Sequence, residues 1–326
     1  MAAFSGAAFA QSAVTLGGTY NFGVQKSNTG VKSADFFDAK VNFSGAEDLG
    51  GGLKASFSTE MQLGGRADTT TNAAEAAADA TVVAAAIGNQ SKKSNVWARN
   101  ATVSLAGGFG TLTGGRVEGA NLAQSAQLAG ASLANGFDQA SLAGANTNFN
   151  LVSYTSPAFN GFTVGVSQSK ALNSVFATAA DATNETTVTA VSASYAAGPL
   201  AAGFVNKSVN TAGTSADGKK NEMFATYDLG VAKVGLGYAK NSGAAYAGQK
   251  AQVIASVVAP VAANFTLGAD YINRDGATAG TDSKGYAVAA NYMLSKRTKI
   301  NATMGKLTLA GVAGQSQYRV GLFHNF

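Results

Sequence analysis

The chain has 326 residues, a formal net charge of +5, 40 glycines, three prolines, one histidine and no cysteine. Charged residues make up 13%, about half of what a soluble domain of ordinary composition carries. No run of about 18 apolar residues offers a membrane helix, and the missing cysteine excludes a disulfide framework and thiolate chemistry.

Residues 1–10 (MAAFSGAAFA) end in Ala8-Phe9-Ala10 before Gln11, an A-x-A-like cleavage site behind a short apolar stretch. We expect this segment to be the remnant of a cleaved secretory signal, leaving 11–326 as a single domain. From there the pattern has a period of two. Val14, Leu16, Gly18, Tyr20, Phe22 and Val24 alternate with Thr15, Gly17, Thr19, Asn21 and Gln25. Phe37, Ala39, Val41 and Phe43 then alternate with Asp38, Lys40, Asn42 and Ser44, and after the turn at 45–52 the rhythm resumes from Leu53 to Gln62.

The same alternation predicts strands near 94–106, 109–116, 148–156, 162–169, 186–197, 200–208, 221–229, 232–241, 249–258, 265–275, 282–293, 298–307 and 316–326. With the first three this makes about sixteen, mostly of the roughly 9–11 residues that cross a bilayer as tilted strands. Connections alternate between short turns and longer polar or Gly/Ala-rich loops, the signature of an outer-membrane barrel. Such a barrel inverts a soluble sandwich: its polar face lines water and its apolar face meets lipid. Tyr20, Phe22, Tyr195, Tyr227, Tyr271, Tyr292 and Tyr318 fit interfacial girdles. The fold class is therefore all-β, a transmembrane antiparallel barrel.

One connection stands apart. Between the strand ending at Arg116 and the one near Phe149, residues 118–148 show neither alternation nor a helical stripe. A structureless loop of this length is uncommon in a compact domain and is usually functional. It contains two acids, Glu118 and Asp138, and one aromatic interrupting small residues before Asn148, Phe137. We expect this third long loop to fold into the lumen and narrow a water-filled pore.

Several stretches, in order along nearly the whole chain, carry a family likeness: 45–55 (GAEDLGGGLKA), 99–105 (RNATVSL) with 108–116 (GFGTLTGGR), 154–162 (YTSPAFNGF), 292–298 (YMLSKRT) and 318–326 (YRVGLFHNF). Together the chain resembles the Gram-negative general porins of the trimeric, 16-stranded type. The resemblance implies a passive outer-membrane channel for small hydrophilic solutes and ions. A solute-specific channel with a binding site at the constriction loop is the alternative.

The resemblance also implies roles for particular positions. Two of the family's three constriction arginines fall on Lys40 and Arg99, and the third on or beside neutral Ser153. Asp138, with Glu118 at the loop's root, supplies the facing acids, so the basic wall is weakly balanced and mild anion preference is expected. Alternation puts Arg99 on the face of Trp97, Ala101, Val103 and Leu105, whereas the resemblance points it into the pore. A bulge or packing between subunits would reconcile the two. Arg116 is implied at a homotrimer contact, facing Glu75 or Asp79 from a neighbour's second long loop. The terminal Phe326 is implied as the signal read by the barrel-insertion machinery. Partners are thus outer-membrane lipid, other copies of the chain, that machinery and permeating anions.

No cofactor, metal or nucleic acid is expected. The sole histidine, His324, lies on the closing strand with no nucleophile motif around it, so an enzyme is not expected. Gly50-Gly51-Gly52 lacks a following Gly-Lys-Ser/Thr and reads as a turn.

Overall fold

A computed structural model describes residues 13–28, 32–63, 96–118, 122–130, 148–171, 186–212, 217–246, 249–276, 282–309 and 314–326. Sixteen strands are present among them. The first eight are β1 (Ala13–Ser27), β2 (Lys32–Gly50), β3 (Leu53–Leu63), β4 (Val96–Gly107), β5 (Gly110–Glu118), β6 (Asn148–Thr155), β7 (Phe162–Ala171) and β8 (Thr186–Ala197). The second eight are β9 (Leu200–Thr211), β10 (Gly218–Asp228), β11 (Lys233–Gly243), β12 (Gln249–Ala262), β13 (Phe265–Gly276), β14 (Ser283–Met293), β15 (Thr298–Leu309) and β16 (Gln315–Asn325). Each pairs antiparallel with its neighbours in sequence, and β16 pairs with β1 to close a barrel. Closure is the only way a sheet can sit in lipid, because an open edge would leave N–H and C=O groups bare at several kcal/mol each.

The period of two now has a direction. Val14, Leu16, Val24, Leu236, Val288, Met304 and Val320 point outward and are exposed, while Asn21, Gln252, Asn291, Asn301 and Thr303 point inward and are buried. A soluble sandwich would show the reverse. Tyr20, Tyr227, Tyr271, Tyr286, Tyr292 and Tyr318 all lie on the exposed outer face.

Strand boundaries differ from expectation at two turns. β2 continues through residues expected as a turn, as far as Gly50, because Ala46 still pairs with Ser56 and Asp48 with Lys54. The reversal is compressed into Gly50, Gly51 and Gly52, at φ 80°, 61° and 80°, and the Gly50 N–H donates to Asp48 Oδ1 at 2.8 Å. Left-handed backbone at three successive positions is a task for glycine. β12 likewise runs on to Ala262 across an irregularity at Pro260, where a ladder donor is missing.

The seam is closed by the last residue. The Phe326 N–H donates to the Gly18 carbonyl at 3.1 Å and Gly18 N–H donates back at 3.2 Å. The Phe326 ring stacks on Tyr20 with centroids 5.7 Å apart. A Cβ at Gly18 would lie 2.5 Å from that ring, so the bare glycine is what lets the terminal aromatic lie down. Residues 1–12, which include the expected signal remnant, lie outside the described residues.

Candidate functional site: a loop fastened inside the barrel

After β5 the chain turns inward. Residues 122–130, beginning with a 3-10 turn at Leu122–Ala126, lie against the inner wall of β10 to β13. No periodicity signals this short helical turn; it is closed by the Gln127 N–H donating to the Gln124 carbonyl at 2.9 Å.

A loop brought into a barrel must find partners for its backbone groups. Here each partner comes from an inward side chain of a different strand. Leu122 N–H donates to Glu222 Oε2 on β10 at 2.7 Å. Leu128 N–H donates to Ser256 Oγ on β12 at 3.2 Å, and the Ser256 hydroxyl donates to the Ala126 carbonyl. Ala129 N–H donates to Asp270 Oδ1 on β13 at 3.2 Å. Cross-strand register makes Gly235, Ser256 and Asp270 neighbours in one inward row. Hydrogen bonds to charged acceptors contribute about 1.5–3 kcal/mol each, so Glu222 and Asp270 are the strong fasteners.

The close approach is made possible by glycine. A Cβ at Gly237 would overlap the Ala123 carbonyl oxygen, and one at Gly235 the Ala126 carbonyl oxygen. A Cβ at Gly268 would lie 2.7 Å from the Ala129 Cα. The loop answers with its own small residues: Ala123, Ala126 and Ala129 are fully buried and pack with Ile254, Ile272, Ala239, Ala287, Ala289 and Leu307. The apolar core of this protein lies inside the lumen, between loop and wall.

Glu222 also organises the charge. It is completely buried and forms ion pairs with Lys220 and, at 3.3 Å, with Lys207. One carboxylate thus holds two lysines and a loop amide. Further round the wall, Phe323 carries Lys299 Nζ 4.9 Å and Arg319 Cζ 5.7 Å from its ring centroid.

The expected site residues are distributed as follows. Lys40 on β2 is paired with Thr19 and Gln62 at an inward, half-buried position. Arg99 is the extra residue of a bulge, since Asn100 pairs with Glu60 and Ala98 with Met61. Counting alternation through 99 from Ala101 therefore fails; Trp97 pairs with Gln62, opposite in parity to Ala101. Ser153 lies between Thr113 and Ser167 in a neutral inward row. Arg116 is exposed on the outer face, paired with Ala101 and Asn150. Glu118 pairs with Asn148 at the parity of Arg116 rather than that of the inner wall. Asp138, Glu75 and Asp79 lie outside the described residues. His324 is exposed, its ring hydrogen-bonded to the Thr298 hydroxyl at 2.9 Å.

Glu222, Ser256, Asp270 and the three wall glycines were not foreseen. Their only sequence signal is an acid, a serine or a glycine at an inward strand position. No group of three metal-ligating side chains occurs among the described residues.

Gly237→Val suits a strand but collides with the loop. It should raise hydrogen exchange at the Leu122, Leu128 and Ala129 amides by about tenfold or more while strand amides stay protected. Gly114→Val, with open space around it, should change neither; equal exchange in both variants would contradict the bed.

Comparison with known proteins gives this geometry a family. The Gram-negative porin family model matches residues 1–309. No curated protein matches the chain. Among solved structures, the anion-selective porin from Comamonas acidovorans is similar at 23% identity, covering 97% of this chain and 100% of that one with a TM-score of 0.67. A loop-deletion mutant of OmpT, an outer membrane protein of Vibrio cholerae, is similar at 14% identity, covering 97% and 99% with a TM-score of 0.66. A mutant of the Rh. blastica porin is similar at 16% identity, covering 96% and 100% with a TM-score of 0.66. The chain belongs to the Gram-negative porin family.

Proposed function

We propose that this porin forms a passive, water-filled outer-membrane channel for small hydrophilic solutes and ions, with mild anion preference. The observation that carries the preference is how the inner wall uses its charge. Glu222 and Asp270 spend their carboxylates on the loop and on Lys207 and Lys220. Lys40, Arg274, Lys299 and Arg319 add inward cations, and Glu60 is the one other mid-strand acid among the inward side chains that the structure describes. Fixed wall charge acts on permeating ions through its long-range field. The anion-selective porin named above shares the fold and is consistent with this reading.

Reversal potentials across a salt gradient should show anions preferred. Lys40→Gln should reduce that preference and Asp138→Asn should increase it modestly. Cation preference in the unmodified protein would refute the electrostatic reading, and saturable block by one solute would favour a solute-specific channel instead.

The working unit is proposed to be a homotrimer, with Arg116 on its contact surface and Glu75 or Asp79 of a neighbour as partner. Its exposure on the outer face near the long-loop end of β5 supports this. Phe326 is proposed as the assembly signal for the insertion machinery, supported by its place at the closing seam. In cells, Arg116→Ala should lower the temperature at which trimers dissociate, and deleting Phe326 should reduce the yield of assembled barrel. Unchanged trimer heat resistance, or unchanged yield, would reject the corresponding role.

A further inference from the structure

The outer face has a second level above the apolar belt. Lys26, Lys170, Lys219, Lys240, Lys284 and Lys306 all occupy outward register positions at the long-loop end of β1, β7, β10, β11, β14 and β15, and all are exposed. Their heights agree. Lys26 is level with Tyr318 and Met304, and Lys306 stands one outward step above Met304. Lys306 pairs with Tyr286, and Lys284 stands one step above that. Lys240 pairs with Asn221, and Lys219 again stands one step above. Every step rises in the same direction round the barrel, which is the stagger that tilted strands require for residues at one height.

The opposite end is built differently. Near the short turns the outward positions are taken by Tyr20, Tyr154, Phe162, Tyr227 and Tyr292, and no outward strand position there carries lysine or arginine among the described residues. At the long-loop level the outward strand acids among the described residues are Asp275 on β13 and Glu118 at the end of β5. The cations are therefore confined to one rim, just beyond Val24, Tyr238, Tyr286 and Met304. In a barrel of this family that rim faces outward from the cell.

We propose that this lysine collar binds the phosphate-bearing headgroups of outer-leaflet lipid, clamping the barrel at the outer interface. The inference rests on the outer-membrane reading above. An ammonium is a compact, strongly hydrated point charge on a flexible stem, suited to phosphates whose positions vary. The stem lies along the top of the apolar belt while the charge reaches the headgroup layer. The aromatic short-turn rim has no such complement.

The test uses the full refolded chain in detergent with equal dimyristoyl phosphatidylglycerol and dimyristoyl phosphatidylcholine, counting retained lipids by native mass spectrometry. The unmodified barrel should retain phosphatidylglycerol preferentially. Each lysine near an anionic headgroup is worth about fivefold, so Lys219→Gln, Lys240→Gln, Lys284→Gln and Lys306→Gln combined should reduce that preference by at least about tenfold. Four arginines at these positions should restore it. Lys296→Gln with Arg297→Gln, at the short-turn end, should leave it unchanged. If the fourfold variant does not fold, the pairs at 219/240 and 284/306 are measured separately, each with at least about a fivefold loss expected.

Equal retention by the collar variant, or an equal loss in the short-turn control, overturns the proposal. So does displacement of the bound lipid by millimolar inorganic phosphate, which would mark a free-anion site. Planar-bilayer conductance is read in parallel on the same samples. Absence of channels in the unmodified protein would defeat the channel reading, whatever the lipid result.

Discussion

A polypeptide loop that enters a barrel brings backbone N–H groups with it, and leaving them bare there costs about as much as the hydrogen bonds they forgo. That requirement organises the interior of this porin. The donors of Leu122, Leu128 and Ala129 are met by Glu222, Ser256 and Asp270 on three different strands. The contact is close because β11 and β13 present glycines at 235, 237 and 268 where a side chain would push the loop away. Moving the loop off the wall would strand two carboxylates and also expose the small apolar core that the three alanines complete.

The fastening has an electrostatic consequence. Carboxylates that would otherwise line the lumen are committed to holding the loop, and Glu222 additionally neutralises part of Lys207 and Lys220. Loop position and the proposed ion preference thus draw on the same side chains. A substitution at Glu222 acts on both, and removing one partner of a buried charge cluster costs about 3–5 kcal/mol. A reading of the proposed anion preference from the few charges of the loop alone would miss this coupling.

Much of the fold was legible because a barrel in lipid writes its constraint on every strand: apolar residues outside, small and polar ones inside, with closure forcing the pattern to continue. Hence Val14 to Val24 and Tyr318 to Leu322 could be read by eye. Lys40 was legible for the same reason, since nothing interrupts the alternation around Val41 and Phe43. Arg99 was not, because a single extra residue between Asn100 and Ala98 reverses every parity counted through it. Glu118 was misplaced by its nearness to the loop; the β5 ladder extends to it and gives it the outer parity. The anchors were invisible for a different reason. A lone acid or glycine on a strand announces nothing until a segment about 100 or more residues earlier in the chain is laid against it.

The seat of the loop root on the β10–β13 wall is open to direct test because the protein has no native cysteine. Leu128→Cys and Ser256→Cys put a thiol on each side of the contact between the Leu128 amide and the Ser256 hydroxyl. Mild oxidation of the folded barrel should give one intramolecular cross-link, recovered in peptides joining the two positions. Two free thiols in a barrel that is otherwise folded and oxidised would contradict the account.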